Sequence, residues 1–147
     1  MKIRPYQPSD QPHLIDMLRA NTPASFAKEE EPDFIFYLQH ETELYFVLEE
    51  ENQIIACGGI NFDQDGHTAR ISWDMVHPEF QGKGAGTQLL QYRINLLRPM
   101  KQINTLIVRT SQTAYGFYKK NGFFLEEINK DYWAKGFDLY LMRQSLS

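Results

Sequence analysis

The chain has 147 residues, with fifteen Lys and Arg against nineteen Asp and Glu and a formal net charge of −4. That length fits one domain, residues 1–147, and the 42% hydrophobic and 14% aromatic content supplies a packed core and excludes a disordered tail. The acidic balance gives no basic footprint for nucleic acid, the lone Cys57 excludes an intrachain disulfide or a multi-cysteine zinc site, and no apolar run reaches the length of a signal peptide core or a membrane span, so a cytoplasmic protein is expected.

Residues Lys2 to Tyr6 suit an opening strand. Ser9-Asp10-Gln11-Pro12 reads as a helix start, with a capping side chain and a proline in the first turn, and Leu14, Ile15, Met17 and Leu18 follow at helical spacing. Asn21 to Glu31 is loop-like and ends in the acidic run Glu29-Glu30-Glu31, expected as a solvated loop or, at a site mouth, an attractor for a cationic acceptor. After Pro32, the residues Phe34, Ile35, Tyr37 and Leu38 predict a short second helix. Leu44 to Leu48 and Ile54 to Phe62 are strand runs joined by a turn at Glu51-Asn52; Asp65-Gly66 is a hairpin signal leading into Thr68 to Val76. Pro78 closes that strand. A long helix follows with Leu90, Ile94 and Leu97 on one stripe and Pro99 at its end. Ile103 to Val108 reads as a buried strand, Gln112 to Asn121 as a helix stopped by Gly122, and Phe123 to Ile128 and Phe137 to Met142 as two closing strands. Antiparallel hairpins thus precede a βαβ unit, which predicts an α/β fold built on a mixed sheet with helices on its faces.

The chemistry begins at Gln81-Gly82-Lys83-Gly84-Ala85-Gly86, where a strand ends and a helix starts. Glycines permit positive φ and close backbone approach, and free amides at a helix N-terminus favour an anion such as a pyrophosphate. Lys83 would add a mobile positive charge. A dinucleotide fingerprint needs glycine where Thr87 stands, and a Walker loop needs Ser or Thr where Gly84 follows Lys83, so neither fits.

Val76-His77-Pro78-Glu79-Phe80-Gln81-Gly82-Lys83-Gly84-Ala85-Gly86 resembles the acyl-CoA-binding segment of the GNAT superfamily of N-acetyltransferases. Ala114-Tyr115-Gly116-Phe117-Tyr118-Lys119-Lys120-Asn121-Gly122-Phe123 resembles that family's later helix, one helix and one strand downstream, and the element order agrees over essentially the whole chain. The resemblance implies the GNAT fold, a mostly antiparallel central sheet of about seven strands with four helices. It also implies transfer of an acetyl group from acetyl-CoA to a primary amine within a ternary complex, with no metal, and homodimerisation through the late strands as an option.

By the same resemblance Asp74, Met75 and Val76 would pair with the pantetheine arm, one of their amides would polarise the thioester carbonyl, and the amides of Gly82, Lys83, Gly84, Ala85, Gly86 and Thr87, beside Gln81, would hold the pyrophosphate. Tyr118 matches the tyrosine that protonates the leaving thiolate, a role suited to a phenol with an ordinary pKa of about 10. Two positions depart from the pattern. Ser111 stands where relatives carry a cofactor-binding Asn, and Ile103-Asn104-Thr105-Leu106-Ile107-Val108 holds no carboxylate to serve as base. Asp74 is the nearest candidate, with Glu79 and His77 just beyond; a structural Asp74 is the competing reading. An acyl-CoA-binding sensor module of the same fold, without turnover, is the alternative function. His13, His40, His67 and His77 lack metal-ligand spacing, Cys57 suits a buried filler, and Gly58-Gly59 a bulge or crowded strand. Phe34, Phe36, Tyr37 and Trp73 read as core first and acceptor lining second, and Asp138 receives no role.

Overall fold

Two successive residues in the left-handed region, Glu51 (φ 51°) and Asn52 (φ 65°), close a tight hairpin between Leu44–Glu50 (β2) and Gln53–Phe62 (β3). The asparagine tolerates that conformation and the paired strands hold the glutamate in it. The computed structural model describes residues 1–146. Its other elements are Lys2–Pro5 (β1), Gln11–Ala20 (α1), Glu31–His40 (α2), Thr68–Val76 (β4), Ala85–Leu97 (α3), Thr105–Thr110 (β5), Tyr115–Lys120 (α4), Phe124–Ala134 (β6) and Phe137–Ser145 (β7). The strands form one sheet in the order β1-β2-β3-β4-β5-β7-β6, antiparallel throughout except where β4 meets β5. Seven strands and four helices in this order match the expected mixed α/β fold.

Both faces of the sheet are covered at β2 and β3, which explains why these strands read as nearly continuous apolar runs. On one face Leu14, Met17 and Leu18 of α1 and Phe34 and Leu38 of α2 pack on Val47, Cys57 and Met75. On the other, Leu90, Ile94 and Leu97 of α3 pack on Ile60, Ile71, Leu106 and Val108. Ala85 and Leu89 extend that second core over Phe46, Leu48 and Ala56.

Several boundaries differ from the sequence expectation. A short 3-10 turn at Pro8–Asp10 runs into α1, and Asp10 supplies the capping carboxylate, accepting from the Gln7 amide at 2.8 Å while Arg4 grips it at 2.9 Å. Strand β5 begins at Thr105; Ile103 is buried in the preceding loop. Ser111–Ala114 is a turn, so α4 begins only at Tyr115. Strands β6 and β7 outrun the expected segments because the hairpin continues through polar residues to a turn at Gly136 (φ 84°).

The β4–β5 pairing positions the site. Register runs from Thr68 opposite Thr105 to Ile71 opposite Val108 and stops there, although β4 continues to Val76 and β5 to Thr110. Across β4's other edge Cys57 opposes Met75 but Gly59 opposes Ser72, so Trp73 and Asp74 form a bulge against Gly58. Trp73 takes a positive φ of 47° there. The bulge turns β4 away from β5 and opens the sheet between them.

Candidate active site

The opening leads into a cavity of about 980 Å3. One wall is Trp73, Asp74, Met75 and Val76 from β4; the facing wall is Arg109, Thr110 and Ser111 from the end of β5. His77 donates its amide to Ile55 on β3 at 2.8 Å, so strand alternation turns the Met75 amide toward β3 and the Val76 amide into the gap. The Val76 carbonyl accepts from Asn21 Nδ2 at 3.1 Å and Gln81 Nε2 at 3.3 Å.

At the mouth, Gly82 (φ 80°) and Gly84 (φ 85°) carry the chain in left-handed conformation into α3. Gly82, Gly84, Ala85, Gly86 and Thr87 line the cavity there, and the first amides of α3 have no intrahelical acceptor. Gly86 serves packing as well: a Cβ would stand 3.3 Å from the Phe117 ring of α4. Lys83 does not line the cavity; its ammonium lies 5.2 Å above the Phe80 ring.

Below the gap three side chains from three elements meet. Arg93 of α3 is fully buried and places Nη2 2.6 Å from Asp74 Oδ1, Nη1 3.1 Å from the Gly59 carbonyl and Nε 3.1 Å from the Leu89 carbonyl. Tyr118 of α4 donates its hydroxyl to Asp74 Oδ2 at 2.6 Å. Burial, and then the Asp74 charge, push the Tyr118 phenol well above its ordinary pKa. Each Asp74 oxygen therefore has a partner, and the absence of a side chain at Gly58 makes room for the ion pair.

The α1/α2 side of the cavity is a second polar chamber. Asn61 Oδ1 accepts from Tyr37 at 2.5 Å and Ser72 at 2.7 Å, while its Nδ2 donates to the Glu41 carbonyl at 2.7 Å and Glu43 Oε1 at 3.0 Å. Trp73 stacks on Phe26, centroids 6.1 Å apart, and tilts against Phe34 at 4.9 Å. Arg109 donates to Tyr132 at 2.6 Å, and Trp133 Nε1 donates to the Thr110 carbonyl at 3.1 Å, which ties the β6–β7 hairpin to the far wall.

Asp74, Met75, Val76, Gln81, Ser111 and Tyr118, together with the glycine loop apart from Lys83, converge on this cavity. The acidic run does not behave as a solvated loop: Glu30 is buried, lines the cavity and accepts from the Ala27 amide at 2.7 Å, and Glu31 is bound by Arg19 at 2.8 Å. Cys57 is a buried filler whose thiol burial pushes up to about 12. Phe36 departs from the core role, being 54% exposed against His40. Sequence reasoning passed over Arg93, Asn61 and Ser72. For Arg93 a signal existed, an arginine in register with Leu89, Leu90, Ile94 and Leu97 on a buried helix stripe, which calls for a buried anion opposite.

An amino-acid acetyltransferase of Pseudomonas putida (strain GB-1) is 35% identical over 86 residues, which is 58% of this chain and only 19% of that relative. The chain thus spans about a fifth of the length of the curated relatives it matches. Among solved structures, an aminoglycoside 6'-N-acetyltransferase complexed with coenzyme A superposes with a TM-score of 0.80 at 12% identity, covering 100% of this chain and 98% of that one. The ribosomal-protein-S18-alanine N-acetyltransferase from Escherichia coli gives 0.80 at 22% identity, covering 99% and 94%. Among the described residues no helix is long and apolar enough to cross a membrane. The acetyltransferase (GNAT) family profile matches residues 12–123, from α1 through the glycine loop to the end of the Tyr118 helix. The chain belongs to the GNAT acetyltransferase family.

Proposed function

We propose that residues 1–147 act as one N-acetyltransferase domain that moves the acetyl group of acetyl-CoA to a primary amine by direct transfer in a ternary complex. One observation carries this reading: the sheet opens beside an unpaired stretch of β4, directly over the Asp74–Tyr118 pair. The residues fit the co-substrate. The Val76 amide offers an unpaired strand edge to the pantetheine amides, the amides of Gly82 to Thr87 at the start of α3 suit the pyrophosphate, and Gln81 and Ser111 flank the path. When bound, acetyl-CoA supplies the activated acetyl thioester.

The side chains supply the proton movements. The amine nitrogen forms its bond to the carbonyl carbon while a β4 amide stabilises the oxyanion, and the carbon–sulfur bond then breaks. Asp74 takes the proton that the nitrogen sheds, and Tyr118 gives its proton to the departing sulfur. The 2.6 Å hydrogen bond couples the two events. With Asp74 charged, Tyr118 is a poor acid; once Asp74 is protonated that charge is gone and the phenol can release its proton. The Asp74 proton then passes to the phenolate, so the net result is transfer from nitrogen to sulfur. Holding both reactants at the gap contributes much of the acceleration.

Calorimetric titration with acetyl-CoA, followed by free-thiol release over a panel of amines, tests this function. Tyr118→Phe should keep acetyl-CoA affinity and lose about a hundredfold in turnover. Absence of acetyl-CoA binding refutes the function, unchanged turnover in Tyr118→Phe refutes the acid role, and binding without thiol release on any amine would mark an acyl-CoA-binding module instead. A cytoplasmic location and a homodimer formed along edge strand β6, where Phe124, Ile128 and Tyr132 are exposed, belong to the same proposal.

A further inference from the structure

The chamber beside Ser72 presents hydroxyls whose protons are already committed. Asn61 Nδ2 faces two groups that can only accept, the Glu41 carbonyl and the Glu43 carboxylate, and this fixes the amide with Oδ1 toward Tyr37 and Ser72. Tyr37 and Ser72 each own a single hydroxyl proton, and both give it to Oδ1. All three side chains are more than nine-tenths buried. Burial pushes the Tyr37 phenol to about 12, so it keeps that proton throughout the neutral range. What Tyr37 and Ser72 turn to the cavity is therefore lone pairs alone. Glu41 and Glu43 line the cavity beside Tyr37 and add acceptors, and Trp73, its ring 6.4 Å from that of Tyr37, adds aromatic surface suited to a cation. Arg70 is the cation of this side, and its guanidinium is bound to Asp63 at 2.6 Å.

We infer that this chamber is a subsite for a second, protonated nitrogen of the acceptor, so that the substrate class is a primary amine joined by a short alkyl chain to another cationic group. An ammonium group donates three hydrogen bonds and accepts none, the complement of a surface made of lone pairs and carboxylates. Ser72 and Asp74 line the same cavity on either side of the Trp73 bulge, so a nitrogen held by Ser72, Tyr37 and Glu43 leaves the other end of such a chain to reach through the cavity toward the gap beside Asp74. A neutral terminus would leave the acceptors unmet, and a carboxylate terminus would face Glu41 and Glu43. The inference rests on the proposed acetyl transfer for its reacting end, but the subsite stands on its own hydrogen-bond pattern.

Three chain-matched ligands separate the cases: 1,5-diaminopentane, pentylamine and 5-aminopentanoate. Their affinities are measured by calorimetry on protein saturated with CoA, and thiol release from acetyl-CoA is then followed with each. The diamine should bind at least about tenfold more tightly than pentylamine, with the carboxylate ligand weakest. Glu43→Gln should lower the ratio of diamine to pentylamine affinity by about tenfold, and Glu41→Gln provides the same reading should the first variant fail to fold. Pentylamine or 5-aminopentanoate binding as tightly as the diamine overturns the subsite, as does a diamine preference that survives both substitutions. Selective diamine binding without thiol release refutes acetyl transfer and leaves the subsite standing. Thiol release without diamine preference does the reverse.

Discussion

An alanine at position 58 would drive its Cβ against Asp74 Oδ1 and to 2.8 Å from Arg93 Nη1. Gly58 lies outside the left-handed region, so the backbone itself accepts alanine and even favours it by about 0.5–1 kcal/mol. The whole penalty of Gly58→Ala thus falls on the ion pair. Parting a buried pair costs about 3–5 kcal/mol. Asp74 keeps 17% of its side chain exposed, which points to the lower end, and the net cost after the backbone gain is about 2 kcal/mol. For a chain of this size that lowers the melting temperature by about 4–8 °C. Urea and thermal unfolding of the wild type, Gly58→Ala, Asp74→Ala and the double variant read the effect as a cycle. With the Asp74 carboxylate removed, Arg93 is free to shift and Gly58→Ala should cost under about 0.5 kcal/mol, a coupling well above the additive error of such cycles. An equal cost in both backgrounds would refute the idea that the glycine exists to admit the ion pair.

Two predictions concern pH. Burial holds the Glu30 carboxyl above its ordinary value, so its contribution is full below the unfolded carboxylate range and is lost as pH rises through the raised value. Glu30→Gln should therefore gain stability relative to the wild type as pH is raised from about 4 to 8, and a difference that stays flat in thermal melts across that range refutes it. Hydrogen bonds from Arg4 hold Asp10 below the usual carboxylate range, so its contribution is present above the unfolded value and lost as pH falls through the lowered one. Asp10→Asn should cost about 2 kcal/mol at pH 7 and progressively less below about pH 4; a constant deficit in urea titrations down to acid pH would contradict it.

How much of this was legible in the sequence depended on range. Strand β4 was read to its last residue because Asp65-Gly66 and Pro78 punctuate it at both ends. Helix α3 announced itself through Leu90, Ile94 and Leu97, and the glycine loop through its spacing. The chamber could not be read, because Tyr37, Asn61 and Ser72 sit on a helix and two strands and meet only through the β3–β4 register. A charge run carries no periodicity, so the place of Glu30 in the cavity wall is not written in Glu29-Glu30-Glu31; only the short turn at Lys28–Glu30 folds the middle member inward. The Asp74–Arg93 pair was hidden for another reason: the bulge at Trp73 shifts Asp74 out of the alternation that a regular strand would impose, so its facing direction follows from tertiary structure.

The parallel junction of four register pairs, Thr68 to Ile71 with Thr105 to Val108, has a mechanical consequence. It joins a four-stranded raft, β1 to β4, to a three-stranded one, β5, β7 and β6, through no more pairs than hold the short edge strand β1 to β2. A ligand bonded to Val76 on one raft and to Ser111 on the other, as proposed above, would act as a cross-brace, replacing the rungs that the sheet gives up. Ligand at a hundred times its dissociation constant would then add about 2.7 kcal/mol to global stability. Hydrogen exchange would slow first at Val76 and Thr110, on the two lips of the seam, so rigidity of the sheet becomes a gauge of occupancy.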